Sequence, residues 1–472
     1  MAADHGLVTT PRRCVVAGGG LAGISAALAL QDAGFTVTLV ERRPFLGGRA
    51  YSFVDHETGQ EVDNGQHVFL ACCTAYRGFL DRLGVTEQTS LQRRLRVPVV
   101  SPTGVRSELS GVSWLPAPLH VLPSFLRYKH LSFGERLRTL RVLLGVMRLD
   151  RERRRDELER QSFREWLLKH GEGERAIRRF WNLVVLPTLN DDIGAVSAFM
   201  GTMVFQEAFF KGNRGAEIGY AKVGLTELIS GAAQRALEEG GGRLVLGQGV
   251  TGFLLEGDRV RAVELSSGER LEGDVFVSAV PWNALPKLLP EPWPRHPFFS
   301  STEGLEAAPI VGVHIWYDRQ VMEDEFLAFL DSPVQWVFNK SAIMGTGGSG
   351  QHVCISLSGA WEYAPMGKEE LRRLFVEEMA KLFPRAREAN VERFIVVKQL
   401  GATFRSRPGA EALRPGQRTP VANLFLAGDW TQTGWPSTME SAVRSGELAA
   451  QAAAETLGKA KAVGRSAPSP AG

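Results

Sequence analysis

A glycine-rich segment near the start of the chain constrains the fold more than any other feature. Residues 14–17 form a short apolar run that contains two Val residues, which is typical of a buried parallel strand. Gly18, Gly20 and Gly23 follow in the G-x-G-x-x-G spacing. In this spacing the first glycine allows a tight turn, the second lets a pyrophosphate approach the backbone, and the third lets a helix pack on the strand.

The residues after this turn complete a nucleotide-binding unit. Residues 21–30 carry apolar side chains at helical spacing, so the start of that helix would direct its N–H groups and positive dipole end at phosphates. Residues 36–40 predict a second strand, and Glu41 lies 23 residues beyond the first glycine, close to the spacing of a ribose-binding acid. We therefore expect a dinucleotide site. The alternative, an α/β packing turn without a ligand, stays open on these residues alone.

The same glycine spacing recurs at Gly345, Gly347 and Gly350. Residues 352–360, which follow, resemble a strand, and no helix comes after them. We interpret this second match as a hairpin loop, because a phosphate-binding turn needs a helix on its carboxyl side.

Length and composition indicate a globular protein of more than one domain. The chain has 472 residues, of which 44% are hydrophobic and 23% charged. We find no apolar run long enough to span a bilayer and no secretory signal core at the start, so we expect a cytoplasmic location. Four cysteines in such a chain form neither a disulfide framework nor a zinc pattern, and we expect core residues at Cys14, Cys72, Cys73 and Cys354.

The positive charge is concentrated in one segment. Residues 127–160 contain eleven Lys and Arg but six Asp and Glu, and an apolar stretch at 112–126 precedes them. Such a basic amphipathic region can lie in a membrane interface, or it can be an ordinary helix that packs on its own domain with a solvated basic face. Nucleic acid is not an expected partner, because aromatic residues are not interleaved with the charges.

Two further motifs indicate a flavin. Gly47, Gly48 and Arg49 would let backbone and guanidinium approach a phosphate or ribityl group. Far along the chain, an apolar run ends in Gly428 and Asp429 and precedes a second predicted helix start. Its N–H groups could stabilise negative charge on a flavin ring, so the dinucleotide is expected to be FAD.

The motifs together predict an α/β fold with a discontinuous Rossmann-type FAD-binding domain and an inserted α+β substrate domain, which has a helical cap and a mixed sheet. The FAD-binding domain is expected to comprise residues 11–83, 220–283 and 395–460. The substrate domain is expected to comprise residues 84–219, which look mainly helical, and 284–394. Residues 461–472 are expected to be a disordered tail.

These motifs resemble those of the FAD-dependent amine oxidase and phytoene desaturase superfamily. The segments GGGLAGISAALAL, ERRPFLGGRAYSF and LFLAGDWTQTGWPSTMESAVRSG carry the likeness, which extends over nearly the whole chain. The motifs at residues 63–67 and 431–440 are similar to those of the squalene-associated branch, the hydroxysqualene dehydroxylases.

The resemblance implies a set of FAD-binding residues and no metal ligands. Val250 would contact the adenine through its backbone, and Asp429 and Met439 would lie at the flavin end. The implied cofactor residues are Gly18, Gly20, Leu21, Ala22, Gly23, Glu41, Arg42, Gly48, Arg49, Gln66, Val250, Gly428, Asp429 and Met439. No catalytic role is assigned to Asp191 or Asp192.

The activity implied is reductive dehydroxylation of hydroxysqualene to squalene, in squalene and hopanoid biosynthesis, with hydride from reduced flavin and loss of water. His67 is the candidate proton donor, with a structural histidine as the alternative. His314 is expected to be a hydrogen-bonded core residue, and Trp435 and Tyr220 are candidates for the substrate tunnel.

Two other functions compete with this one. The first is a carotenoid-type desaturase or amine oxidase on the same scaffold, and the second is a prenyl-chain carrier that does not use flavin. A thirty-carbon isoprenoid substrate favours peripheral contact with the inner face of the cytoplasmic membrane. No separate nicotinamide site is evident, so the electron donor is an unidentified partner, and the oligomeric state is left open.

Overall fold

The computed structural model describes residues 12–57, 59–346, 348–456 and 458. Its strands, in chain order, are β1 (Arg13–Ala17), β2 (Thr36–Glu41), β3 (Ser52–Val54), β4 (Glu61–Asp63), β5 (Val68–Leu70), β6 (Thr89–Leu91), β7 (Arg96–Val100), β8 (Arg106–Ser110), β9 (Ile218–Ala221), β10 (Arg243–Leu246), β11 (Val250–Glu256), β12 (Arg259–Leu265), β13 (Arg270–Glu272), β14 (Val275–Ser278), β15 (Ala307–Tyr317), β16 (Phe326–Phe329), β17 (Trp336–Asn339), β18 (Gln351–Ser358), β19 (Val391–Phe404) and β20 (Leu424–Leu426).

The α-helices are α1 (Leu21–Asp32), α2 (Thr74–Arg82), α3 (Leu122–Leu126), α4 (Phe133–Arg148), α5 (Arg155–Leu158), α6 (Phe163–Lys169), α7 (Glu174–Ala176), α8 (Asn182–Leu189), α9 (Ala198–Phe205), α10 (Leu225–Glu239), α11 (Leu285–Leu288), α12 (Pro297–Ser300), α13 (Lys340–Met344), α14 (Lys368–Leu382) and α15 (Met439–Thr456). Two π-helical turns, Ile177–Trp181 and Gln206–Phe210, extend α7 and α9.

A five-stranded parallel sheet forms the half of the protein that the sequence predicts to bind a nucleotide. Its strand order is β10-β2-β1-β14-β20, so three distant parts of the chain contribute to it. The sequence predicts β1 and β2 correctly because their apolar runs are local and the glycine turn lies between them. The loops at the carboxyl ends of parallel strands meet at one edge, which is where a Rossmann-type sheet binds its ligand.

Helix α1 is buried on all sides rather than along one stripe. Every residue from Leu21 to Leu30 is buried, because α15 covers the helix face that the sheet does not. The two helices approach closely at Gly446, where an added Cβ would lie 2.3 Å from the Ala22 carbonyl oxygen. Small residues therefore replace the usual amphipathic pattern at this contact.

A seven-stranded mixed sheet forms the other half, with strand order β19-β15-β18-β17-β16-β7-β8. Helix α14 covers one face with Leu371, Phe375 and Met379. Residues 84–219 are mainly helical, as the sequence predicts, but strands β6, β7 and β8 also lie in this stretch and are not predicted. The division into domains stays a prediction, and its boundary at residue 395 falls inside β19, which pairs with β15 along its length.

The second glycine match lies in the connection between β17 and β18, which are antiparallel neighbours. The short helix α13 occupies the first part of that connection, so it is longer than a tight hairpin turn. Gly347 and residues 459–472, which include the predicted disordered tail, lie outside the described residues.

Helices α3 to α9 form a cap with an aromatic core. Trp166, Trp181, Phe163 and Phe205 are buried there within one cluster of ring contacts. Among the described residues, no helix is both long enough and apolar enough to cross a membrane.

One buried carboxylate joins the first and last parts of the chain. Glu440 accepts hydrogen bonds from the backbone N–H groups of Ala75 (3.1 Å) and Tyr76 (2.7 Å), at the start of α2. Its partner on α15 is Arg444, at 2.6 Å. A buried carboxylate at a helix N-terminus satisfies N–H groups that the helix itself cannot pair.

We expect Glu440→Gln to lower the free energy of unfolding by about 2 kcal/mol, because it removes both the ion pair and the charge at the helix terminus. Urea denaturation of the variant and the parent protein measures this difference. Glu455→Gln is the matched control, since Glu455 pairs with Arg418 at the surface and its loss should change little. Equal effects of the two variants would contradict the assignment.

Candidate active site

Two glycine loops pack against each other at the carboxyl end of β1. Gly47 donates its backbone N–H to the Gly19 carbonyl oxygen at 2.9 Å. Gly48 has a φ of +63°, and a Cβ added there would lie 2.8 Å from the Gly20 Cα. A side chain at Gly48 would therefore separate the loops, whereas glycine there lets a ligand lie along the backbone, in the cradle that the two loops form.

The start of α1 faces this cradle. Gly20 is its N-cap and provides no side-chain cap, and the first turn contains no acidic residue. Gly18 has a φ of +109°, and Gly23 permits close packing, because its added Cβ would lie 1.8 Å from the Gly18 carbonyl oxygen. The N–H groups of this turn therefore suit an anionic pyrophosphate, while Leu21 and Ala22 are buried behind it.

Glu41 is fixed by the loops on either side of it. Its carboxylate accepts from the backbone N–H groups of Gly19 (2.7 Å) and Arg43 (2.9 Å), and the residue is buried. Arg42 is exposed next to Gly249, just before Val250 at the start of β11. The predicted adenosine-side residues are thus brought together, and their contacts with a nucleotide stay a prediction.

An ion pair connects the two motifs that indicate a flavin. Arg49 pairs with the buried Asp429, and the Ser437 hydroxyl donates to the other carboxylate oxygen. Arg49 also donates to the Ala402 carbonyl oxygen at 2.8 Å, at the far end of β19. Met439, the first residue of α15, lies half-buried near this network.

The loop at residues 63–67 is held by a buried ion pair that sequence reasoning missed. The Lys340 ammonium lies 2.8 Å from the Asp63 carboxylate, and both side chains are almost completely buried. Burial raises the pKa of Asp63, but the Lys340 charge and hydrogen bonds from Lys340, Leu225 and Ser52 lower it more, so its pKa lies below the usual value. Lys340 follows β17 in an otherwise ordinary sequence, so only the tertiary structure identifies it.

His314 lies under the same loop as a buried, hydrogen-bonded residue, as predicted. Its Nδ1 lies 3.0 Å from Nε2 of His352, and it also has a hydrogen bond to the Asp63 backbone. Burial, together with the Lys340 charge, lowers the pKa of His314 to about 4. Both histidines are therefore neutral at physiological pH, because burial lowers the pKa of His352 as well.

His67, the candidate proton donor, is half-buried at the end of this loop. Its Nδ1 lies 3.3 Å from the Gly65 carbonyl oxygen. Burial lowers the pKa of His67, although the Asp63 charge opposes this effect. A neutral imidazole suits acceptance of a proton better than donation.

The side chain of Gln66 shows that the site fits a polar ligand. Its Oε1 is buried and has no hydrogen-bond partner among the described residues. Buried acceptors in native proteins normally have a partner, so this oxygen is available to an N–H or hydroxyl group of a bound molecule. Together with the glycine cradle and the uncapped helix start, the residues fit FAD.

The aspartates at residues 191 and 192 have structural partners at the edge of the cap. Asp191 pairs with Arg405, and Asp192 accepts from the Gly194 backbone N–H at 2.8 Å. The neighbouring Asn190 bonds Thr403 and Gly359, which connects the cap to the seven-stranded sheet.

Comparison with known proteins assigns the family. The model for flavin containing amine oxidoreductases matches residues 21–454. The chain belongs to this family. It is an FAD-dependent oxidoreductase, as the sequence predicts.

Two relatives with similarity over nearly their full length are carotenoid desaturases. The 15-cis-phytoene desaturase of Synechococcus elongatus is 26% identical, with 93% of this chain and 95% of that protein covered. A probable zeta-carotene desaturase of the same organism is 27% identical over 94% of this chain and 98% of that one. Wild-type putrescine oxidase bound to putrescine has the same fold, with a TM-score of 0.71, 17% identity, and coverage of 95% and 99%.

The neutral state of His314 predicts a pH dependence of stability. Between about pH 6.5 and about pH 4 the unfolded chain binds a proton at this residue and the folded protein does not, so stability falls as the pH decreases. His314→Asn should reduce that dependence by at most about 1.4 kcal/mol per pH unit. Urea denaturation across this pH range gives the free energy of unfolding of both proteins. The difference between them at about pH 8, where the histidine is neutral in both states, gives the loss from packing alone. If stability depends on pH in the same way in the variant and the parent protein, His314 does not have the lowered pKa assigned to it.

Proposed function

We propose that the protein is an FAD-dependent desaturase that acts on a long polyisoprenoid chain of the phytoene type. The observation that carries this proposal is the similarity to phytoene and zeta-carotene desaturases over more than nine-tenths of the chain. The named relatives support this reaction better than the dehydroxylation that the sequence motifs favour.

The proposed substrate surface is the face of the seven-stranded sheet that lies under the residue 63–67 loop. Gly312 on β15 faces this loop, since its added Cβ would lie 3.5 Å from the Gly65 Cα. Ser356 lies directly opposite Gly312, and Trp336 lies opposite Ser356, so all three share one face. Ser356 and Trp336 are only half-buried although they lie in the interior of a wide sheet, and we propose that an apolar chain covers them.

When bound, FAD would accept the two electrons that are released when hydrogen is removed from the substrate chain. The protein must hold adjacent carbons in place, exclude water and accept the proton. His67 is the proposed proton acceptor, because burial holds it neutral beside the loop. Trp435 packs against both the core of the five-stranded sheet and the core of the cap, whereas Tyr220 is buried in the cap core. We therefore propose a substrate contact for Trp435 alone.

Hydroxysqualene dehydroxylation is the second candidate. The motifs at residues 63–67 and 431–440 favour it, because they are similar to those of the squalene branch. This reaction runs the flavin in the reductive direction and needs an acid to protonate the departing hydroxyl. The lowered pKa of His67 makes it poorly suited to that role.

Anaerobic single-turnover experiments distinguish the two directions. We expect oxidised holoenzyme mixed with phytoene in detergent to bleach the flavin absorbance and to form a product with one more double bond. Reduced holoenzyme mixed with hydroxysqualene should form no squalene. Squalene formation without phytoene oxidation would reverse the assignment, and no reaction with either compound would overturn the substrate class.

We further propose peripheral contact with the inner face of the cytoplasmic membrane through α4. Phe133, Leu137 and Leu144 form an apolar stripe with exposures of 63%, 49% and 44%, while Thr139, Val142 and Val146 are buried on the opposite face. Trp114, 77% exposed, precedes this helix in the chain. Exposed apolar side chains among arginines suit insertion into an anionic lipid surface.

Replacement of Phe133, Leu137 and Leu144 by Ser should reduce binding to vesicles of anionic phospholipid by at least about tenfold, because the inserted apolar area is lost. Cosedimentation with vesicles at several lipid concentrations measures the binding affinity of each variant. The matched control is Leu400→Ser, which removes an equally exposed apolar side chain from β19. Equal binding by the triple variant and the control would contradict the proposed surface.

A further inference from the structure

Arg414 is a fully buried arginine that lies outside the predicted cofactor-binding motifs. Its side chain is 0% exposed and forms an ion pair with Glu411, three residues earlier. The Phe404 ring lies 4.8 Å from the guanidinium carbon, at the end of β19. A buried charge is costly unless it has several partners, so the remaining contacts of Arg414 indicate what it does.

Those contacts are all with one loop. The guanidinium donates to the backbone carbonyl oxygens of Asp429 (3.2 Å), Trp430 (3.4 Å) and Thr431, and to the Thr433 hydroxyl at 3.3 Å. Three successive carbonyl groups therefore point toward one cation. Carbonyl groups that point at one another repel each other unless a hydrogen-bond donor lies between them. A guanidinium has enough N–H groups in a fixed plane to donate to all three.

The same loop carries the carboxylate that pairs with Arg49. Gly428, with a φ of +149°, begins the loop, and the Asp429 side chain points away from its own carbonyl toward Arg49 and Ser437. The backbone of Asp429 is thus held on one side by Arg414, and its carboxylate is held on the other. Neighbouring contacts from Gln417 to Thr431 and Gln432 reinforce the first side.

We propose that Arg414 is a positioning residue for the flavin end of the cofactor site. By fixing the three carbonyl groups it holds residues 428–433 in the conformation that directs Asp429 at Arg49 and at the cofactor. The ion pair with Glu411 orients the guanidinium. This inference rests on FAD binding and is independent of the proposed substrate.

Two variants test the role. Arg414→Lys retains the charge but cannot span the three carbonyl groups, and the double variant Glu411→Gln, Arg414→Met removes the buried pair together, which avoids leaving one charge alone. Titration of apoprotein with FAD, followed by flavin fluorescence, gives Kd, and thermal unfolding of the apoprotein reports folding separately. We expect Kd to rise by at least about tenfold in both variants, with a cooperative unfolding transition retained.

The matched control is Glu172→Gln. Glu172 is a buried carboxylate in the cap that accepts from Trp181 Nε1 at 2.8 Å, far from the loop along the chain. We expect this variant to lower the unfolding temperature of the apoprotein and to leave the Kd for FAD unchanged. An unchanged Kd in both Arg414 variants, or a Kd in Glu172→Gln that rises in step with its loss of stability, would overturn the positioning role.

Discussion

The contact between the two glycine loops is the constraint on which the remaining structure depends. A Cβ added at Gly48 would lie only 2.8 Å from the Gly20 Cα, so a side chain at Gly48 would push the two loops apart. The first loop begins α1, and the second leads into Arg49, so this contact sets the distance between the predicted pyrophosphate end and the flavin end of the site. The ion pair from Arg49 to Asp429 then brings the last segment of the chain to the same place.

Buried charges are concentrated where separate segments meet at this site. Lys340 and Asp63 connect the seven-stranded sheet to the loop at residues 63–67, and Arg414 connects residues 411–417 to the Asp429 loop. Apolar contacts would hold these segments together without defining their orientation, whereas a hydrogen-bonded ion pair is satisfied in few arrangements. A flavin enzyme needs the segments around its site to be fixed in orientation, because displacement of a reacting group by about 1 Å can lower the rate about a hundredfold.

Local signals predict the nucleotide-binding half well. The β1, α1 and β2 unit follows from a glycine spacing, an apolar helix and an acid that lie within thirty residues of one another. Strands β7 and β8 escape prediction because they are short and Arg-rich segments flank them. Lys340 and Arg414 cannot be found from the sequence, since a buried charge and an exposed one look alike until their partners are known. The FAD-binding residues remain predictions that the geometry brings together.

The strands and helices around the parallel sheet come from distant parts of the chain, so they are synthesised at different times. Helix α1 leaves the ribosome early, but α15, which covers its outer face, is the last described helix of the chain. At ordinary translation speeds the intervening residues take roughly 20 to 80 s to make. During that interval the face of α1 that α15 covers in the folded protein stays exposed, which leaves an apolar surface open to chaperones and to other nascent chains.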